Sequence, residues 1–373
     1  MESIRTWGAR CLMIGLGVGA LAIAGCGSGD DSSDTGTASA SGGGASTAAA
    51  DTGGGGGDDK QYVIGVSNTL VGNGFREEMI CSIKAQALAS GKVSKVIVQN
   101  QNGGAPEQIA AIRNLISAGA NAIIANPADA AALNPVIQQA KQKGVVFVAV
   151  DQAVTSPDAY IATNDQKEYA ALGVKWLAEK LGGKGNIVEL RGAKGVPADT
   201  DRHEGFMEAL KEYPDIKVVK SVYTNWDWPT GSKEMANILQ SGEQVDGVWT
   251  SGIDSIIVDA YKTAGKPVVP IVGADNNGFM KQILEDPDVK DKGVMVTNPA
   301  IIGAVGTKIA IDALDGKNPE KVTTLTPEVW DSTNVDEWKD NYDPKLPPTY
   351  SVTMSIPGLT DFTPEQLKGC QGP

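Results

Sequence analysis

From Tyr62 onward, short apolar runs alternate with longer stretches in which apolar residues recur every three or four positions. Tyr62 to Ser67, Lys95 to Gln99, Ala122 to Ala125 and Val145 to Val150 are brief and rich in Val, Ile or Ala, the pattern of strands buried on both faces. Between them, Phe75 to Ser90, Pro106 to Ala118 and Ala130 to Lys143 carry helical spacing, as at Ile109, Ile112, Leu115 and Ile116. Repeated strand-helix order of this kind predicts a parallel sheet covered on both faces. The order then starts again. Strands are predicted at Asn186 to Leu190, Lys217 to Tyr223, Gly247 to Thr250, Pro270 to Gly273 and Gly293 to Thr297. Helices are predicted near Tyr169 to Leu181, Asp199 to Tyr213, Thr230 to Gln240, Ser255 to Ala264 and Gly278 to Glu285. The fold class is therefore α/β, with two doubly wound parallel-sheet lobes.

In open α/β sheets the ligand crevice lies beyond the carboxyl ends of the strands. Those positions hold Asn68, Asn100, Asn126, Asp151, Asn225, Ser251, Asp275 and Asn298. Part of this is turn chemistry, because Asn and Asp end strands and cap the next helix. Asp151 and Asp275 stand out, since carboxylates at equivalent strand ends of two facing lobes converge on one neutral, hydroxyl-rich ligand.

The first sixty residues break the pattern. Arg5 and Arg10 precede an apolar run from Cys11 to Ala24, shorter than the roughly 20 residues a membrane-spanning helix needs. The run closes on Leu21-Ala22-Ile23-Ala24-Gly25-Cys26, which resembles the lipobox of bacterial lipoproteins. That resemblance implies a signal peptide over 1–25 and a lipidated Cys26 at the mature terminus. Residues 26–60 are almost entirely Gly, Ser, Ala, Thr and Asp, with nothing large to bury, and are expected to be a disordered tether with a reach of about 30 Å. Of four cysteines, Cys81 and Cys370 then remain in the body. In an exported protein such a pair is expected to form a disulfide, here pinning the C-terminal tail to the first helix; two separate buried thiols are the alternative. The formal charge of −13 disfavours nucleic acid as a partner.

Specific motifs sharpen the picture. Ser67-Asn68-Thr69-Leu70 with Asn73-Gly74-Phe75, then Asn126-Pro127, Val150-Asp151, Arg202-His203-Glu204-Gly205-Phe206, Asn225-Trp226-Asp227, Val272-Gly273-Ala274-Asp275 and Asn298-Pro299 before Ile302-Gly303 occur in this order. Together they resemble the type I periplasmic substrate-binding proteins of the ribose-binding class, whose fold is also the core of LacI-type regulators. The resemblance implies a three-strand hinge and a ligand set of Asn73, Phe75, Arg76, Asp151, Arg202, Trp226, Asp275 and Asn298. Asn73 and Phe75 would be a sugar-binding polar group and a stacking aromatic, Asp151 an acceptor for ring hydroxyls, Arg202 a donor and Trp226 the opposite wall. Asp275 and Asn298 would complete the hydroxyl-binding set. The residue types suit the task without the resemblance, because flat aromatics cover a sugar's C–H faces while Asp and Arg bind its hydroxyl rim with charge-assisted bonds. Arg76 stands where ribose binders often have a second aromatic, and Gln152 where many have an arginine. Arg76 contacts a more polar polyol or an acidic sugar, or is a solvated first-turn residue. Trp228 rivals Trp226 for the stacking role, and the cleft-facing residue near Ser251 to Asp254 is left open.

The expected arrangement is lobe one over 61–163 and 298–316, lobe two over 164–297 and 317–335, and an extension over 336–373 packing on the body. The implied function is a lipid-anchored, extracytoplasmic binding protein, expected to be a monomer. It would pass a monosaccharide or polyol to an ABC permease and its ATPase. Presentation of a small molecule to a membrane sensor is the alternative, and a carbohydrate-active enzyme a weaker one. His203 is the sole histidine. No metal-ligand spacing, nucleophile elbow or phosphate loop is present, so no enzyme activity, metal or cofactor is expected. No basic DNA-binding head precedes the first lobe, which argues against a repressor.

Overall fold

The computed structural model describes residues 61–373. The predicted leader, Cys26 and the tether lie outside the described residues. Lobe one begins with β1 (Tyr62–Asn68), α1 (Gly74–Ser90), β2 (Val93–Asn100), α2 (Ala105–Ser117), β3 (Ala122–Ala125), α3 (Asn134–Gln142), β4 (Val146–Asp151) and β5 (Tyr160–Asn164). Lobe two follows with α4 (Gln166–Lys180), β6 (Lys184–Arg191), α5 (Pro197–Leu210), β7 (Asp215–Tyr223), α6 (Trp228–Gln240), β8 (Gly247–Thr250), α7 (Ser255–Thr263), β9 (Ile271–Ala274), α8 (Asn277–Glu285) and β10 (Gly293–Val296). The chain returns to lobe one for α9 (Ile302–Leu314) and β11 (Val322–Leu325), then crosses again to β12 (Val329–Trp330) and α10 (Val335–Trp338). A final helix, α11 (Pro364–Lys368), lies near the end.

Each lobe has one six-stranded sheet, ordered β11-β5-β4-β3-β1-β2 and β12-β10-β9-β8-β6-β7. All neighbours are parallel except β10 and β12. Strands such as β3 and β8 have every residue buried, which is why they appear as unbroken apolar runs rather than alternating ones. Trp249 on β8 centres the lobe-two core, with the Phe206 and Tyr169 rings 5.3 and 6.2 Å away. Side-chain caps fix where helices start: Asn73 accepts from Arg76 N, Asp227 from Thr230 N and Asn276 from Phe279 N. In both sheets the strand order reverses beside the first strand of the lobe, β1 and β6, so each lobe turns a switch-point crevice toward the other.

Two expectations change. Residues 317–325 belong to lobe one rather than lobe two, because β11 pairs in parallel with β5. The third crossing therefore falls between Leu325 and Val329. A fourth crossing joins the expected three: Thr353–Pro357 runs beside Thr297, Pro299, Leu325 and Glu328. Beyond it the tail packs on lobe one, where Phe362 and Leu367 are buried with Ala85, Ile301 and Ala304. Cys81 on α1 and Cys370 are joined by a disulfide, and Pro373 O accepts from Val96 N at 3.1 Å.

Candidate functional site

A cavity lies where the two crevices meet. Lobe one and its crossing contribute Asn73, Phe75, Arg76, Asp151 and Asn298 to the lining. Lobe two contributes Arg202, Trp226 and Asp275. The structure thus brings every candidate ligand residue to one space.

Arg76 is not a solvated first-turn residue; it is 5% exposed. Its Nη1 donates to Asn68 Oδ1 at 3.1 Å, leaving most of the five guanidinium donors free for the cavity. Burial lowers its pKa to about 10, against the opposing pull of Asp151, so it stays charged at neutral pH. Arg202 is more committed. Its Nε donates to Gln166 Oε1 at 2.7 Å and its Nη1 to Ser251 O and Oγ at 3.1 Å, and the guanidinium lies 4.0 Å from the Tyr169 ring centre.

Asp151 ends β4 with φ of 68°, a left-handed conformation unusual for a side-chain-bearing residue. Its Oδ2 accepts from Asn126 Nδ2 at 2.9 Å, and Gln166 Nε2 lies 3.4 Å from Oδ1. Asn298 Oδ1 accepts from Asn164 and Gln166 at 3.0 and 3.2 Å, which leaves its Nδ2 as the group available to a ligand. Asn126, Asn164 and Gln166 therefore orient the groups that reach the cavity.

Trp226 is the aromatic of lobe two. It also has positive φ, as does Asn225 before it, and its Nε1 donates to Ser251 O at 2.9 Å. A Cβ on Gly192 would stand 2.1 Å from the indole, so only glycine permits this ring position. Trp228 packs against the lobe-two core instead. Ser251 and Gly252 line the cavity, whereas Asp254 is buried behind it and accepts from Ala274 N and Asn276 Nδ2. Burial raises the Asp254 pKa to about 6.

Two features escaped the sequence. Gln152 is absent from the cavity lining; it accepts from Ala198 N across the lobes at 2.9 Å. Asn73 Nδ2 donates to Trp226 O at 3.2 Å and makes a second bridge between lobes. Both contacts belong to a closed cleft. The other feature is the extension, whose Thr349 and Ser351 line the cavity. This strap joins lobe two by Gly278 N→Pro348 O, Asn277 N→Tyr350 O and Val352 N→Asp275 O, at 2.8 to 2.9 Å. It touches lobe one where Ser351 N donates to Glu78 Oε2 at 2.7 Å. Glu78 is fully buried, with Oε1 unpartnered, and burial raises its pKa well above the ordinary value. His203 lies elsewhere, 2.8 Å from Glu189. Among the described residues no acidic, His or Cys cluster suits a metal, and no helix is long and apolar enough to cross a membrane.

The profile described as periplasmic binding protein domain matches residues 64–318. A xylitol-binding protein of Mycolicibacterium smegmatis is 36% identical over 187 residues, 48% of this chain and 53% of that protein, so the chain spans about half of that relative's length. The ribose import binding protein of Bacillus subtilis is 26% identical over 268 residues, covering 70% of this chain and 85% of that one. The crystal structure of an ABC transporter solute binding protein from Thermobispora bispora superposes with a TM-score of 0.72 at 30% identity, covering 83% of this chain and 94% of that chain.

Proposed function

The chain belongs to the periplasmic binding protein family, in its type I ribose-like class, and from that premise we propose that it captures a monosaccharide or polyol between its lobes for delivery to an ABC importer. The observation that carries this reading is the buried, largely unpartnered Arg76 guanidinium beside Asp151 in a cavity that Phe75 and Trp226 also line. Guanidinium donors that line the cavity with a single protein partner offer charge-assisted hydrogen bonds to ligand oxygens. Hydroxyls serve as both donors and acceptors, so a polyol or sugar answers the Arg76 donors and the Asp151 acceptors together, while the aromatics cover its C–H face. The named substrates of the relatives, xylitol and ribose, have the same chemistry.

Ligand contacts come from Asn73, Phe75, Arg76 and Asp151 on one side, Arg202 and Trp226 on the other, and Asn298 at the hinge. A ligand touching both lobes favours the closed form, in which the Asn73 and Gln152 bridges form, because only differential affinity shifts such an equilibrium. The permease would recognise that closed surface. Lipid attachment at Cys26 would keep the protein, as a monomer, at the outer face of the membrane. The family is one of transport binding proteins, which accords with a binding role rather than catalysis.

Thermal unfolding of the full chain against pentoses, hexoses, polyols, sugar acids and amino acids tests this. A ligand at 100 times its Kd adds about 2.7 kcal/mol and raises the midpoint by several degrees. A rise with one sugar or polyol class is expected; a rise only with amino acids, or none, contradicts the reading.

A further inference from the structure

The strap that crosses the cleft lies wholly outside the residues that match the family, yet it occupies one of the cleft's two carboxylates. Asp275 is 1% exposed. Its Oδ1 accepts from Asn298 N at 2.8 Å, and its Oδ2 accepts from Ser351 Oγ at 2.8 Å and Thr353 Oγ1 at 3.0 Å. A carboxylate offers about four acceptor positions, so roughly one is left. The two strap groups are hydroxyls, the same donors that a sugar or polyol would bring. Ser351 also lines the cavity and holds both lobes at once, through its backbone N to Glu78 and its hydroxyl to Asp275.

The seat for the strap is shaped into both lobes. A Cβ on Gly74 would stand 2.0 Å from Thr349 Oγ1, and one on Gly278 would stand 2.8 Å from Pro348 Cβ. An antiparallel bridge between Asn276 and Ser351 fixes the register that aims Ser351 and Thr353 at Asp275.

We propose that Ser351 is a specificity-determining residue: with Thr353 it fills the acceptor sites of Asp275 in place of ligand hydroxyls, and so limits the cleft to shorter ligands. The inference rests on the sugar or polyol reading of the same cavity. Removing the Ser351 hydroxyl frees an acceptor position on Asp275 for one more ligand hydroxyl.

The test is calorimetric titration of the full chain with erythritol, xylitol and sorbitol and with ribose and galactose, comparing wild type, Ser351→Ala and Ser351→Thr. Thermal unfolding without ligand checks that each variant folds, and Ser351→Thr, which keeps the hydroxyl, serves if Ser351→Ala does not. Ser351→Ala is expected to shift the six-carbon to five-carbon affinity ratio at least fivefold toward the longer ligand. Ser351→Thr, with an added methyl group, is expected to shift it the other way. Unchanged ratios in folded variants that still bind would overturn the specificity role and leave the sugar or polyol reading standing. Failure of wild type to bind these compounds or any other sugar or polyol would overturn both.

Discussion

Asp151 and Asp275 are the same residue type at equivalent strand ends of two facing lobes, and both line one cavity. Their surroundings differ. Asp151 accepts one firm side-chain bond, from Asn126, and has a buried arginine beside it. Asp275 is held by a backbone N–H and two strap hydroxyls, and burial outweighs these bonds to raise its pKa. One carboxylate is open to a ligand and the other is mostly occupied by the chain itself. Residue type sets what a position is able to bind; partners decide what it has left to offer.

Asp151 carries the largest expected effect. Asp151→Ala removes the open acceptor and is expected to weaken binding of the panel's best ligand at least a hundredfold, about 2.8 kcal/mol, by calorimetry. If the two carboxylates were equivalent in function, Asp275→Asn would cost as much. It is expected instead to weaken binding less than tenfold. Its larger cost is in stability, because an amide nitrogen or oxygen cannot match all three donors, and denaturant unfolding should show a loss of about 1–3 kcal/mol.

The smallest effect concerns Glu78, which anchors the strap to lobe one. Its folded pKa is raised by burial above the ordinary 4.5, so the folded state holds a proton that the unfolded state releases. That contribution is fully present below the ordinary carboxylate value and is lost as pH rises through the folded pKa. Glu78→Gln mimics the protonated group. Relative to wild type it should therefore gain stability as pH rises from about 4.5 toward neutrality, in thermal unfolding at several pH values. Asp254, raised to about 6, acts with the same sign in both proteins and cancels in the difference. A constant offset across that range would mean that Glu78 is not proton-linked.

Much of this was legible in the sequence because a strand buried on both faces has to be continuously apolar, and its polar end then marks the crevice. Asp151, Asp275 and Asn298 were found that way. Strands without such a run were missed: β11 is Val-Thr-Thr-Leu with alternating exposure at a sheet edge, and β5 ends in Thr-Asn. The observed lobe boundary therefore differs from the expected one near 317–325, where β11 joins the lobe-one sheet. Arg76 was legible as a departure from the family pattern, but its burial follows from tertiary packing. Gln152 carries no local signal, since its role as an interlobe bridge depends on where Ala198 comes to rest. The strap has no periodicity to reveal it. Only Cys370 signalled that the extension returns to lobe one, and nothing local indicated that it would pass through the cleft on the way.

The ligand is expected to sit between the lobes on the open Asp151 carboxylate. A crystal structure of the protein with the panel's best ligand tests it most directly. The expected result is a sugar or polyol in contact with Trp226 and within hydrogen-bond distance of Asp151 and Arg76, with Ser351 and Thr353 still on Asp275. A ligand bound outside this cavity, or one that displaces the strap hydroxyls to bind Asp275 while leaving Asp151 untouched, would contradict it.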